Sequence, residues 1–431
     1  MTRKGVKRQE SRTKTTKAPL KVVELFAGVG GFRIALEGFP KQKNSSFEVV
    51  WSNQFEPRTK KQHANMVYKN RWPNANHSEE DIEALVKNDI ESIPNHDLLV
   101  GGFPCQDFSI ANRSHNKGLK GTKGKLWWSI QKILEKKRPN YILLENVDRL
   151  LRSPSKQIGR DFAVILSCLN TLGYAVEWRV INAADYGFAQ RRRRTFILGY
   201  KKGTKLYKQL ETVTISEWLS KVGVTARAFP IKKAGQPKVG ILPDTIEDTL
   251  KTFSNENAVF DKTGLMLHGA YCTFKVTPDF NETKTTLKDI LLDVEQIPES
   301  YFISENDLPK WKLVKGAKEI HRISKHTGNP YIYREGNVAF PDALEKPSRT
   351  LLTREGGGYI CREKHVVLQN GRYRRLHPIE LERLNGFPND FTKHQDITDV
   401  QRAFFMGNAL VIGVVKKLGQ QLAKEINKTT K

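Results

Sequence analysis

Apolar and polar positions sort the first half of the chain into a repeating pattern. Runs dominated by Val, Ile, Leu and aromatic residues lie at residues 21–26, 47–52, 97–100, 141–144, 174–182 and 195–200, bounded by glycine or polar residues. Runs of this length are too short for core helices and read as buried strands. Between them lie stretches with helical periodicity, one opening at residues 32–36, one starting at Leu126 and one spanning 158–172. Strands alternating with helices over 20–200 predict an α/β fold, a doubly wound and mostly parallel sheet with helices on both faces.

The texture changes after about residue 201. To about 340 periodicity is poor and Lys, Thr, Gly and Pro are plentiful, which predicts a second, smaller, irregular β-rich domain. A helix begins within 375–384, and residues 407–412 lead into a last amphipathic helix reaching 426. The expected division is a basic flexible lead at 1–19, the α/β domain at 20–202 and the irregular domain at 203–378. A hinge at 379–406 and a C-terminal helix at 407–431 returning to the first domain complete it.

Charge changes the picture most. Lys plus Arg is 72 against 46 for Asp plus Glu, a formal net charge of +26 over 431 residues. That excess favours a polyanionic partner, most simply nucleic acid, although charge alone specifies neither chemistry nor sequence preference. No apolar run is long enough to cross a bilayer, and the N-terminus lacks the apolar core of a signal peptide. The four cysteines stand far apart without Cys-x-x-Cys or nearby histidine spacing, so neither a metal site nor a disulfide framework is expected, and a reducing cytoplasm suits them.

Three strand ends carry candidate chemistry. The first strand runs into Ala27-Gly28-Val29-Gly30-Gly31, a glycine loop opening a helix but lacking the full dinucleotide spacing. The second ends in Asn53-Gln54-Phe55-Glu56, where α/β folds place a side chain for ribose hydroxyls. The strand at 97–100 leads into Gly101-Gly102-Phe103-Pro104-Cys105, which sets a thiol on a stiff turn at a carboxyl edge. A free thiol has a pKa of about 8.5 and needs nearby positive charge to act as a nucleophile at neutral pH. Residues 110–125, with Gly118, Gly121 and Gly124, make a candidate moving loop behind it.

Taken in order, Leu25 to Arg33, Gly102 to Ser109, Glu145-Asn146-Val147, Asp185-Tyr186-Gly187, Gln190 to Arg194 and Gly407-Asn408-Ala409 resemble the motifs of the DNA (cytosine-5) methyltransferases, above all the bacterial restriction–modification type. The resemblance covers about 20–200 and 345–425 and implies the S-adenosylmethionine-dependent methyltransferase fold, with 20–202 as the catalytic and cofactor-binding domain and 203–378 as the target-recognition domain. It implies methylation at C5 of a flipped-out cytosine in duplex DNA, through a covalent bond from Cys105 to C6. Cytosine C5 is too electron-poor to attack a methyl group until a nucleophile adds at C6. Glu145 would bond N3, and Arg192 and Arg194, alternating along an extended segment, would both face the base and the thiolate.

For the cofactor, S-adenosylmethionine, the resemblance implies Phe26 and Phe55 against adenine, Asp81 and Asn408 on polar atoms, and Leu126 as an apolar wall. Gly28, Gly30 and Pro104 would let it lie close to the backbone, and Gln54 stands where the family usually has an acidic ribose-binding residue. A monomer acting on double-stranded DNA is expected, with a cognate restriction endonuclease on the same site left open. Two alternatives stand beside this reading. One is the related tRNA methyltransferases, whose Cys-Phe-Thr signature is absent here; the other is an inactive DNA-binding module, against which the intact Cys105, Glu145 and arginines argue.

Overall fold

The structure is a computed structural model that describes residues 18–57, 59–103, 125–154, 157–253, 260–323 and 328–428. Ten strands form one sheet: β1 (Leu20–Leu25), β2 (Phe47–Asn53), β3 (His77–Ser78), β4 (Leu98–Gly102), β5 (Tyr141–Val147), β6 (Tyr174–Asn182), β7 (Arg193–Lys201), β8 (Ile231–Ile241), β9 (Thr263–Leu267) and β10 (Ala270–Pro278). Their order is β3-β2-β1-β4-β5-β7-β6-β9-β10-β8. Pairing is parallel from β3 through β5 and antiparallel from β7 onward.

The central strands are apolar on both faces because both are covered. Along β1, β4 and β5, Val22, Val100 and Leu143 join one core, while Val23, Leu99 and Ile142 join the other. This is the two-residue alternation of a strand lying between two layers. On the first face pack α1 (Gly31–Glu37), α2 (His63–Arg71) and the helix Ile412–Asn427, through Phe32, Val67 and Leu418 among others. On the second pack α3 (Ile82–Asn88), α4 (Lys125–Lys137) and α5 (Arg160–Thr171), through Leu85, Trp127 and Phe162. The doubly wound core expected from the sequence is this arrangement.

The second half departs from expectation in three ways. First, the sheet does not stop at residue 202: β9 pairs with β6, so β8–β10 continue it, and the buried Leu206 and Trp218 lie in the same core as β1. Second, the stretch read as β-rich also holds short helices at Lys205–Leu210, Val224–Ala228, Ile246–Thr252 and Leu308–Lys315. Third, the segment read as a hinge holds, beside the expected helix Pro378–Asn385, a further helix, Asp399–Asn408. A capping box, Thr398 with Gln401, starts the second of these. A separate hairpin, Lys318–Ile323 with Pro330–Glu335, leaves Ile323 and Tyr331 exposed. Among the described residues no helix is long and apolar enough to cross a membrane.

Candidate active site

Parallel strands β1, β2, β4 and β5 all end at one edge of the sheet, and a cavity of about 450 Å³ opens there. Its walls come from the glycine loop, the tips of β2, β4 and β5, the start of α4, Arg194, and residues 407–410. β7 runs the other way, so its beginning lies at the same edge. Arg194 is paired with Val147, the last residue of β5. From there the Arg194 Nε–H reaches the Glu145 Oε1 at 2.7 Å, with both side chains largely buried. Next to Glu145, buried Asn146 donates from Nδ2 to the Phe103 carbonyl at 2.8 Å. That bond fastens the tip of β5 to the last described residue before Pro104 and Cys105. The Asn146 role was not anticipated; its only sequence signal was its place beside Glu145.

Arg192 does not join this wall. Its backbone N–H bonds to the Gln190 carbonyl at 2.9 Å, which folds the chain just before β7 begins at Arg193. The alternation expected for an extended segment therefore fails here. The buried guanidinium instead donates to the Leu351 carbonyl at 3.1 Å and the Gly407 carbonyl at 2.9 Å. Burial, and then the charge of Arg194, pull its pKa below the ordinary arginine value.

The glycine loop separates two roles. Gly28 has φ 56° and a Cβ there would meet nothing within 4 Å, so the loop faces open cavity at this point. Gly30, with φ 88°, is not on the wall; a Cβ would sit 2.3 Å from the Trp72 ring. Its small size serves packing rather than a ligand. Phe26, a wall residue, also adopts positive φ, 55°, a conformation that costs about 1–3 kcal/mol for a non-glycine residue. Below the loop, buried Glu24 accepts from the Arg33 backbone N–H and the Tyr68 hydroxyl, both at 3.3 Å. Burial pushes its pKa up to about 8, with Arg33 opposing.

Gln54 lines the cavity, but its side-chain oxygen is occupied by the Gly28 N–H at 2.8 Å, so it ties β2 to the glycine loop. Glu56 lines the cavity as well and accepts the Ala64 N–H at the start of α2 at 3.0 Å. The sequence marks it only as a carboxylate at the tip of β2, and it is the acidic group nearest in sequence to the expected ribose position. A buried polar relay holds this tip. Asn65 donates to the Gln54 carbonyl at 3.0 Å and lies 2.9 Å from His77 Nε2, while Ser52 Oγ lies 2.8 Å from Nδ1. This arrangement suits a neutral ring with Nε2 as donor, and burial lowers the His77 pKa to about 4.

Phe55, Leu126 and Asn408 lie on the wall, Asn408 as the last residue of its helix. Asp81 does not: it caps α3, accepting the Glu83 N–H at 3.0 Å. Phe404 and Phe405, which sequence reasoning missed, also line the cavity. They sit in the helix that was not foreseen. Cys105, Pro104 and most of the candidate moving loop lie outside the described residues.

The chain matches the family described as C-5 cytosine-specific DNA methylase over residues 20–424. It is 43% identical to the type II methyltransferase M.Sau3AI of Staphylococcus aureus over 406 residues, covering 94% of this chain and 96% of that one. It is 25% identical to the type II methyltransferase M.HhaI of Haemophilus parahaemolyticus, covering 95% of each. Among solved structures, the Dnmt2 methyltransferase of S. pombe aligns with a TM-score of 0.56 at 17% identity, covering 95% of this chain and all of that one. A Spodoptera frugiperda DNMT2 mutant aligns at 0.58 and 14%, covering 95% of this chain and all of that one. These two likenesses show the fold.

Proposed function

Because the chain belongs to the C-5 cytosine-specific DNA methylase family, we propose that it methylates C5 of a flipped-out cytosine in duplex DNA, with S-adenosylmethionine as donor. The observation that carries the reading is the Glu145–Arg194 pair standing in the same cavity as the glycine loop. The names of the relatives, type II methyltransferases, support a role in restriction–modification.

The cavity suits the donor. Gly28 leaves backbone exposed where a side chain would intrude, Phe26 and Phe55 offer faces for adenine, and Gln54, Glu56 and Asn408 supply polar atoms. When bound, S-adenosylmethionine supplies an electrophilic methyl group. The protein's part is to make C5 nucleophilic. The Cys105 thiolate adds to C6, and the electron pair displaced from the C5–C6 double bond is shared by C5, N3 and O2. Once C5 carries the methyl group, loss of its proton re-forms the C5–C6 double bond and releases the thiolate. Glu145 bonds N3, where that charge develops, and Arg194 holds Glu145 in place. Arg192 acts as a positioning residue through Leu351 and Gly407. Base flipping costs a few kcal/mol and is needed because C5 and C6 are shielded in stacked duplex.

Labelled donor with purified enzyme tests this. Label is expected in plasmid DNA and not in tRNA, at one cytosine context by bisulfite sequencing. Label confined to tRNA would overturn the reading. A duplex carrying 5-fluorocytosine at the mapped position should trap a mass-shifted peptide containing Cys105. Recovery of that peptide unmodified would exclude the covalent route.

A further inference from the structure

A second concavity lies along the sheet edge that carries the candidate active site. Strand pairing fixes its place. Val147 ends β5 opposite Arg194, Asn182 ends β6 opposite Arg193, Arg179 faces Thr263 at the start of β9, and Thr263 faces Phe274 in β10. The edge thus runs from Glu145 across β7, β6 and β9 to the far part of β10. Beside it a groove of about 670 Å³ is lined by Arg149, Arg152, Arg193, Lys262 and Lys275. Neighbouring residues of a strand point to opposite faces: Arg194 lines the active-site cavity and Arg193 lines the groove.

Among the described residues the charge of this groove is not balanced. None of these five side chains has an ion-pair partner among the described residues, and all five are exposed. Of the two described carboxylates on its wall, Asp261 is nearly buried and lies 3.4 Å from Lys238, which leaves Asp148 as the exposed described carboxylate beside five cations. Exposed cations that neutralise no local anion are suited to an external polyanion. Here they form a row that starts just beyond the strand carrying Glu145 and continues away from it.

We propose that this groove holds the phosphate backbone of the substrate duplex to one side of the target cytosine. It extends the DNA-binding surface beyond the bases seated at the active-site cavity. The inference rests on the reading of the chain as a DNA methyltransferase and adds a site of its own. Phosphate contacts of this kind set register and orientation without reading bases.

The test compares wild type with Arg149→Ala/Lys262→Ala/Lys275→Ala on 12- and 30-base-pair duplexes centred on the cytosine mapped by bisulfite sequencing. A control, Lys202→Ala/Lys208→Ala/Lys424→Ala, removes equal charge. Lys202 and Lys208 follow the opposite end of β7, and Lys424 lies in the last turn of the C-terminal helix. For the long duplex, the groove variant should bind at least about tenfold more weakly. Its plot of log affinity against log salt should flatten by about 0.9 for each phosphate that the groove no longer neutralises. On the short duplex it should differ from wild type by less than about twofold, and the control should match wild type on both. Equal weakening in groove variant and control, or equal weakening on both duplexes, would reduce the effect to overall charge and overturn the proposal. So would unchanged binding of the long duplex. Wild type that neither binds nor methylates either duplex would instead overturn the DNA reading itself.

Discussion

Arg194 and Glu145 meet at 2.7 Å, Nε to Oε1, across two strands that run in opposite directions. The antiparallel turn of β7 is what brings an arginine from the start of one strand to a carboxylate at the end of another. Glu145→Gln should lower kcat by about 10²–10⁴-fold, the range for losing a positioned proton-transfer group, with donor and DNA affinity nearly kept. Arg194→Lys keeps the charge but not the planar donor, and should fall at least about tenfold in kcat. Single-turnover kinetics check both, and a kcat within twofold of wild type would remove either residue from the chemistry.

Arg192 calls for a different outcome. Removing its guanidinium leaves the Leu351 and Gly407 carbonyls without their buried donor. Arg192→Leu should lower unfolding free energy by about 2–3 kcal/mol, read by urea denaturation, and weaken donor binding through Asn408. Unchanged stability with lost kcat would return Arg192 to the catalytic role expected from sequence.

The two loop glycines should separate stability from binding. Gly30→Ala drives a methyl group into Trp72 and should unfold the protein or destabilise it by more than about 3 kcal/mol. Gly28→Ala adds a methyl in open space at positive φ, a strain of about 1–2 kcal/mol, yet should weaken donor binding at least tenfold by calorimetry. Equal effects of the two on melting temperature would contradict the assignment.

His77 sets a pH dependence. Its folded pKa is depressed to about 4 against about 6.5 when unfolded. Its contribution to stability is therefore complete above pH 6.5 and is lost as pH falls through about 4, because the unfolded chain takes up a proton first. The melting-temperature advantage of wild type over His77→Gln should shrink steadily from pH 7 to pH 4. A constant difference across that range would show that His77 does not titrate in this way.

Arg374 and Glu380, both fully buried, pair at 2.6 Å where the helix Pro378–Asn385 begins. Glu380 also accepts the Leu292 and His377 N–H groups. Glu380→Ala should cost about 3–5 kcal/mol, because it strands a buried charge. Adding Arg374→Met should restore part of that loss, and failure to do so would place the cost in the two backbone bonds instead.

The parallel half of the fold was legible in β1, β2, β4 and β5, which are largely buried and read as apolar runs; the two-residue β3, His77–Ser78, is polar and half-buried and left no such signal. Glu145, Arg194, Phe26, Gly28, Gln54, Phe55, Leu126 and Asn408 share the cavity wall, since strand tips and the loops after them are marked by glycine and polar breaks. Arg192 was misread because alternation presumes an extended backbone, and one bond from Arg192 N–H to the Gln190 carbonyl removes that premise. Gly30 and Asp81 carry motif-like signals, but tertiary neighbours decide their work: an indole ring for one and a helix end for the other. The helix Asp399–Asn408 was legible in principle through Thr398 and Gln401, three apart.

The active-site cavity draws on residues 26–32 at one extreme of the described chain and on 407–410 at the other, with α1 packed on the C-terminal helix behind them. A chain still emerging from the ribosome therefore lacks one wall of this cavity until residues 407–410 have been read. A frameshift or stop codon just before residue 407 should be as silencing as one near residue 26, and translation products ending there should leave genomic cytosines untouched.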